Sequence, residues 1–349
     1  MMRRMSWRGA LGPAFIAVAL MFASAVGARA EAPQLTHVRL RLDWVWQAPQ
    51  AIFTYAAERG FYRDEGLDVS IDRGYGGLAN ATAIAAGNYE FLFGDINNVI
   101  LFNSKAEDHK LVSVFTIYDA YLGTIITRAN SGIMKPKDLE GKTIGAPLTT
   151  GGRTMFPAFA KANGIDESKV HWETVGIELQ DQQFAQGQFD AVASFVTTSL
   201  LNLKQLGVPR SKLRIFNFAD YGVDLYGSGI VTRADYAKEH PEIVRKFVHA
   251  TLRGIKAMLA NRAAAIDSLK KHDPLLDANI ELDRLDLMIE MTLKRSDVEK
   301  YGVGHVDPAR LQRNIDTMVS VFHLPKAPAP DEVSTDAFLP PQSERMLKF

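Results

Sequence analysis

Residues 123–129 read GTIITRA and residues 227–233 read GSGIVTR, and these two segments bracket a block of sequence that repeats the grammar of the block before it. Upstream, Val38, Leu40 and Leu42 alternate with His37, Arg39, Arg41 and Asp43, the period of a strand. Residues 48–59 then read as a helix, with Pro49 in its first turn and Gly60 past its end. The unit recurs as strand LDVSID (67–72), helix 78–86 closed by Gly87, strand EFLFGD (90–95), helix 97–104 and strand LVSVFTI (111–117). After GTIITRA come strand KTIGAP (142–147), helix 153–162, strand VHWETVG (170–176), helix 180–186, strand FDAVASF (189–195), helix 198–206 and strand LRIFNF (213–218). GSGIVTR reads as a strand that returns to the first sheet. The expected fold class is therefore α/β, with two lobes, each a mixed sheet flanked by helices. Crossings near 122–127 and 224–229 make a two-stranded hinge. The expected organisation is a first lobe from 31–124 and 228–324, a second lobe from 125–227, and an extended C-terminal tail over 325–349 that holds five prolines. Helices follow the return strand at 241–261, where apolar residues line one face, and near 263–271, 281–294 and 308–322.

Composition narrows the function classes. The 349 residues are 47% hydrophobic and 23% charged, Lys plus Arg equals Asp plus Glu at 40 each, and cysteine is absent. These values are those of a globular protein, and they exclude a disulfide scaffold, a thiol nucleophile and a thiolate metal site. Balanced charge speaks against a nucleic-acid partner, which demands a basic excess or patch. Arg3, Arg4 and Arg8 precede an uncharged apolar stretch over 9–28, and Ala28-Arg29-Ala30 has the small-x-small form of a signal-peptidase site. The expectation is a signal peptide over 1–30, cut after Ala30. Removing its four arginines leaves 36 basic against 40 acidic side chains, a net charge of about −4. An exported chain without cysteine fits the periplasm of a bacterium.

Open α/β sheets bind ligands beyond the carboxyl ends of their strands, so the strand ends supply the site candidates. After the first strand come Asp43, Trp44, Trp46 and Gln47; the two indoles share a face of an extended segment, and at least one is expected to stack on a planar ligand. GYGGLA (74–79) fits GxGxxA with Asp95 further on, a dinucleotide fingerprint, yet it follows the second strand of its lobe instead of the first. The alternatives are a glycine turn that offers helix N–H groups at Gly76, Gly77 and Leu78 to a ligand, or a turn with no ligand role. GAPLTTGGRT (145–154) is the second lobe's counterpart, where Thr149, Thr150, Gly151 and Arg153 converge at a helix start and suit a carboxylate or sulfonate. The competing view is ordinary capping by Thr150 with Arg153 in solvent. Asp95 and Asn97 stand where the third strand meets its helix, as caps or as ligand contacts, and Phe195, Thr197 and Tyr226 occupy equivalent edges further on. The eight histidines are scattered without metal-ligand spacing, so no metal and no cofactor are expected.

The chain resembles the periplasmic solute-binding proteins of ABC importers in the nitrate/sulfonate/taurine group, which includes binders of thiamine precursors. The residues that carry the resemblance are LDW (42–44), AAERGFYRDEGLDV (56–69), GYGG (74–77), AAGNYEFLFGD (85–95), KPKDLEGKTIGAP (135–147) followed by TTGGR, and DAFLPP (336–341). It implies the type II periplasmic binding protein fold. It also implies a non-enzymatic role, in which the lobes close on a small solute and present it to a permease and, through it, an ATPase. The aromatic rim and the Thr/Gly/Arg loop point to a planar heteroaromatic compound or a small organic anion such as a sulfonate or carboxylate. A hinged clamp needs no second subunit, so a monomer is expected. The rival is an enzyme akin to the thiamine-pyrimidine synthases on this fold, which use an active-site histidine and a cysteine-rich segment; the absence of cysteine and the export signal weigh against it.

Overall fold

The structure is a computed structural model, and it describes residues 1, 2 and 34–349. The expected leader and its cut after Ala30 lie outside the described residues. In chain order the strands are β1 (Thr36–Arg41), β2 (Leu67–Asp72), β3 (Phe91–Asp95), β4 (Leu111–Thr116), β5 (Gly123–Arg128), β6 (Thr143–Ala146), β7 (His171–Thr174), β8 (Ala191–Phe195), β9 (Leu213–Asn217) and β10 (Ser228–Arg233). They form two five-stranded sheets with one plan, β2-β1-β3-β10-β4 and β7-β6-β8-β5-β9. In each sheet the strand that follows a crossing lies antiparallel between two neighbours: β10 between β3 and β4, and β5 between β8 and β9. The remaining pairs are parallel, so both sheets are mixed. Both inserted strands are covered on both faces, which is why their sequences are near-continuous apolar and Thr/Ser runs.

The chain crosses between the sheets twice, from β4 to β5 and from β9 to β10. The crossings run side by side and bond to each other: Tyr121 N donates to Leu225 O at 2.9 Å, Gly227 N to Tyr118 O at 3.0 Å, and Tyr118 N to Ser228 O at 2.8 Å. One core lies between the first sheet and helices Ala51–Glu58, Pro241–Ala260 and Arg262–Lys270. A second is continuous across the waist, joining Leu92, Val231 and helix Pro308–Phe322 to Ile125, Ile144 and helix Phe156–Ala162 through Tyr121, Leu225 and Tyr226. A third covers the far face of the second sheet at Ile126, Val192 and Phe184.

Several elements differ from the sequence expectation. The helix expected over 153–162 is two, Gly151–Thr154 and Phe156–Ala162, because Pro157 has no N–H to continue the ladder and the chain restarts at Met155. The helix expected over 281–294 begins earlier, at Ala278, where Asp277 caps it, and ends in a wider turn over Ile289–Leu293. Helices Phe61–Asp64, Ala234–Glu239 and Ser296–Tyr301 were too short to carry a periodic signal. The tail is not extended throughout: it makes turns at Pro330–Val333 and Gln342–Arg345, buries Val333 and bonds along β4 through Thr335 N to Ser113 O at 2.9 Å. Among the described residues no helix is long and apolar enough to cross a membrane.

Candidate functional site

A cleft of about 850 Å³, counted to the open solvent at its mouth, lies between the carboxyl ends of the two sheets. The first sheet contributes Asp43, Trp44, Gln47, Gln50, Gly76, Gly77, Asn80, Asp95 and Asn98; the second contributes Thr149, Thr150, Gly151, Thr154, Ser194, Phe195, Thr197 and Thr198. Tyr118 comes from a crossing and Ser228 from the start of β10. Among the described residues that line the cleft there is no lysine, arginine or histidine.

The first wall is assembled by backbone bonds between two loops that are distant in sequence. Gly74 N donates to Trp44 O at 2.7 Å and Gly76 N to Asp43 O at 3.1 Å, while Asn80 Nδ2 donates to Asp43 O at 2.9 Å and Leu42 O at 3.2 Å. Gly76 has φ +98°, a conformation that side chains resist, and a Cβ there would stand 2.7 Å from Thr149 O. On the facing loop Thr149 Oγ1 donates to Tyr75 O at 3.1 Å, so the rims touch across the mouth. In the second wall Gly152 has a different duty. A Cβ at that position would lie 2.2 Å from Ser194 N, so only glycine lets helix Gly151–Thr154 settle on β8.

Two carboxyl groups dominate the electrostatics. Asp95 caps helix Ile96–Asn103: its Oδ1 accepts from Asn97 N at 2.9 Å and Asn97 Nδ2 at 2.7 Å, which leaves Oδ2 without a donor among the described residues. Burial pushes its pKa up to about 7 against the pull of those bonds, and the nearby Asp43 charge adds to the rise. Burial also pushes Asp43 up to about 6, although Gln50 Nε2 donates to its Oδ1 at 2.7 Å. The Tyr118 phenol is held well above its ordinary value by burial and by the Asp43 charge, so it stays an O–H donor. Thr150 occupies the cap position of its helix but its side chain makes no capping bond, which leaves that hydroxyl for a ligand.

The structure brings together Asp43, Trp44, Gln47, Gly76, Gly77, Asp95, Thr149, Thr150, Gly151, Phe195 and Thr197. Four candidates stand elsewhere. Trp46 turns away and stacks on His272 with ring centroids 4.6 Å apart, since the chain between the two indoles is bent instead of extended. Asn97 lies behind Asp95, where its Nδ2 also donates to Tyr226 O at 2.8 Å and its Oδ1 accepts from Asn314 Nδ2 at 2.7 Å. Arg153 is neither at the cleft nor free in solvent: it donates to Ala146 O at 2.9 Å and Thr174 Oγ1 at 3.0 Å and lies over Trp172. Tyr226 packs under Arg310, 4.1 Å from the ring centre, and its hydroxyl accepts from Asp307 N at 3.0 Å. The Arg153 guanidinium is thus engaged inside its own lobe, while Thr149, Thr150 and Gly151 of the same loop line the cleft. Gln50, Asn80, Tyr118, Ser194, Thr198 and Ser228 line the cleft without having been singled out. Gln50 was discoverable as the residue one turn after Gln47, and Thr198 as the neighbour of Thr197.

The family model described as "NMT1/THI5 like" matches residues 48–265. The formylaminopyrimidine-binding protein of Halalkalibacterium halodurans is 28% identical over 263 residues, covering 73% of this chain and 78% of that protein. The riboflavin-binding protein RibY of Chloroflexus aurantiacus is 24% identical over 314 residues, covering 88% of this chain and 87% of that protein. The solved structure of the alkanesulfonate-binding protein SsuA from Xanthomonas axonopodis pv. citri, bound to MOPS, superposes with a TM-score of 0.67 at 16% identity, over 87% of this chain and 99% of that one. That likeness gives the fold, which is that of a periplasmic binding protein. With more than half of its length matched by one family model, and two like sheets meeting at a cleft, the chain belongs to the NMT1/THI5-like family.

Proposed function

We propose that this chain is the solute-binding component of an ABC importer, acting outside the cytoplasm as a monomer, and that its solute is a neutral or weakly basic planar heteroaromatic compound, such as an aminopyrimidine or a flavin. The single observation behind this ligand class is the cleft's charge: two carboxyl groups, Asp95 buried and Asp43 half-buried, and no cationic side chain among its described lining residues. A sulfonate or carboxylate would meet Asp43 and Asp95 without a counter-charge, and a buried unpaired anion is strongly disfavoured. A heterocycle with an amino group next to a ring nitrogen has the opposite fit. Asp95 at about pH 7 can offer either an acceptor oxygen or an O–H, matching either edge pattern, and Trp44, Tyr118 and Phe195 supply aromatic area. The pyrimidine and riboflavin binders among its relatives support the same class. Contact with both walls favours the closed form, and a permease that reads closure then reads occupancy.

The test is a thermal-shift and calorimetry panel of 4-amino-2-methylpyrimidines, riboflavin and alkanesulfonates. At a concentration about 100 times Kd, a binding heterocycle raises the unfolding midpoint by about 4 °C. A sulfonate that binds more tightly than every heterocycle defeats the ligand class, and conversion of the bound compound to product defeats the binding role in favour of a synthase.

A further inference from the structure

Beside the cleft, but not lining it, lies an ion pair sealed from solvent. Arg284 and Glu281 sit one turn apart on helix Ala278–Met288 and are 1% and 2% exposed. That helix packs on Arg262–Lys270 and on the turn Ala48–Gln50 of the first lobe, and also on helix Val196–Gln205 of the second, where Lys204 donates to Asp283 at the exposed edge. The Arg284 guanidinium is the buried polar part of this contact. Its Nη1 donates to Thr197 O and to Thr198 O, the latter at 3.1 Å, and its Nη2 donates to Asn202 Oδ1 at 3.0 Å, all on helix Val196–Gln205. Its Nε spans Glu281 Oε1 and Oε2 at 3.0 and 3.1 Å. Glu281 Oε2 in turn accepts from Ala48 N at 2.5 Å, and Thr198 Oγ1 donates to Gln47 Oε1 at 3.0 Å.

The pair therefore holds one wall of the cleft at Gln47–Ala48 through Glu281 and the other at Thr197–Thr198 directly. A guanidinium keeps its proton, so sealing it from water is costly and is offset only while its acceptors stay in place. Three of those acceptors belong to the opposite lobe. Drawing the lobes apart would strip them away together, which makes the contact an all-or-none feature of the closed arrangement. We propose that Arg284 is a positioning residue for solute capture: without touching the solute, it fixes the register of the two walls when the lobes are closed. This rests on the reading of the cleft as the solute site.

Because the chain has no cysteine, Leu275→Cys and Leu206→Cys, at positions 92% and 47% exposed on either side of the contact, accept a pair of spin labels. In the solute-free protein, Arg284→Met is expected to lengthen and broaden the label-to-label distance distribution. It is also expected to weaken binding of whichever panel heterocycle the unaltered chain binds by at least about tenfold. Arg284→Lys keeps the charge but lacks the planar fork, so it follows Arg284→Met. Asn202→Ala, which removes one acceptor, shows a smaller change in the same direction and serves if Arg284→Met does not fold. An unchanged distance distribution in the folded variant overturns the role of Arg284. The distance measurement needs no solute, so a panel without any binder defeats the reading of the cleft, while the label distances still decide the role of Arg284.

Discussion

Asp95 shows how one side chain serves structure and site at once. Its Oδ1 caps a helix, and its Oδ2 is left for the cleft. Asn97 behind it is tied to Tyr226 and Asn314, so the carboxyl group is aimed by the crossing and by helix Pro308–Phe322. The raised pKa has a consequence for stability. Between the unfolded value near 4 and the folded value of about 7, the folded state holds a proton that the unfolded state has lost. Stability therefore falls as pH rises through this window and levels off above about 7; Asp43 acts in the same sense up to about 6. Asp95→Asn removes this contribution. Urea denaturation of the solute-free chain at pH 5.0, 6.0 and 7.5 is expected to give a shallower loss of stability for Asp95→Asn than for the unaltered chain, and equal slopes would reject the assignment. Single residues of the site were legible only in part. Asp43, Trp44 and Asp95 could be found because they end strands, but Trp46 and Arg153 also follow strand ends, and only packing against His272 and Trp172 turned them away.

At the scale of elements, the strand and helix series followed from side-chain alternation and from glycine and proline punctuation, because those signals are local. Closeness between elements is not local. The run TTGGR (149–153) reads as a flexible loop, whereas Gly151 and Gly152 are there for close approach: a Cβ on Gly151 would meet the Phe195 ring at 2.4 Å, and one on Gly152 would meet the backbone of β8. Gly152→Ala is expected to lower the free energy of unfolding by about 1–3 kcal/mol, the usual cost of overpacking. It should also weaken heterocycle binding, because Thr150, Gly151 and Thr154 move with the helix. Denaturant titration and calorimetry on the same preparation check both; a variant with unaltered stability and affinity would show that this helix tolerates displacement from β8.

The whole molecule turns on the waist between the sheets. Arg310, on helix Pro308–Phe322, grips both crossings: it donates to Asp119 Oδ1 at 2.9 Å and Asp119 O at 2.7 Å on one, and to Asp224 Oδ1 at 2.9 Å on the other, with Asp297 at 3.4 Å. Burial raises Asp119 to about 6 even with this cation beside it. Arg310→Met leaves that carboxylate buried with only the more distant Arg295, 3.8 Å away, beside it, and a loss of about 2–4 kcal/mol in unfolding free energy is expected at pH 7.5. Part of it should return at pH 5, where Asp119 in the variant takes up a proton; urea midpoints at the two pH values measure this, and a loss that is independent of pH would place the effect elsewhere.

The alternation of strands and helices, the two crossings and the set of strand-end loops were legible along the chain, since each is written in neighbouring residues and in the period of their side chains. Which of those loops meet was decided only in three dimensions. The cleft's charge came from Arg153 folding back onto Trp172 while Asp43 and Asp95 stayed, and the Arg284 contact joins residues from opposite lobes. The physical reason is that desolvation and hydrogen-bond satisfaction depend on everything that surrounds a group, and the nearest groups in space are often far away along the chain.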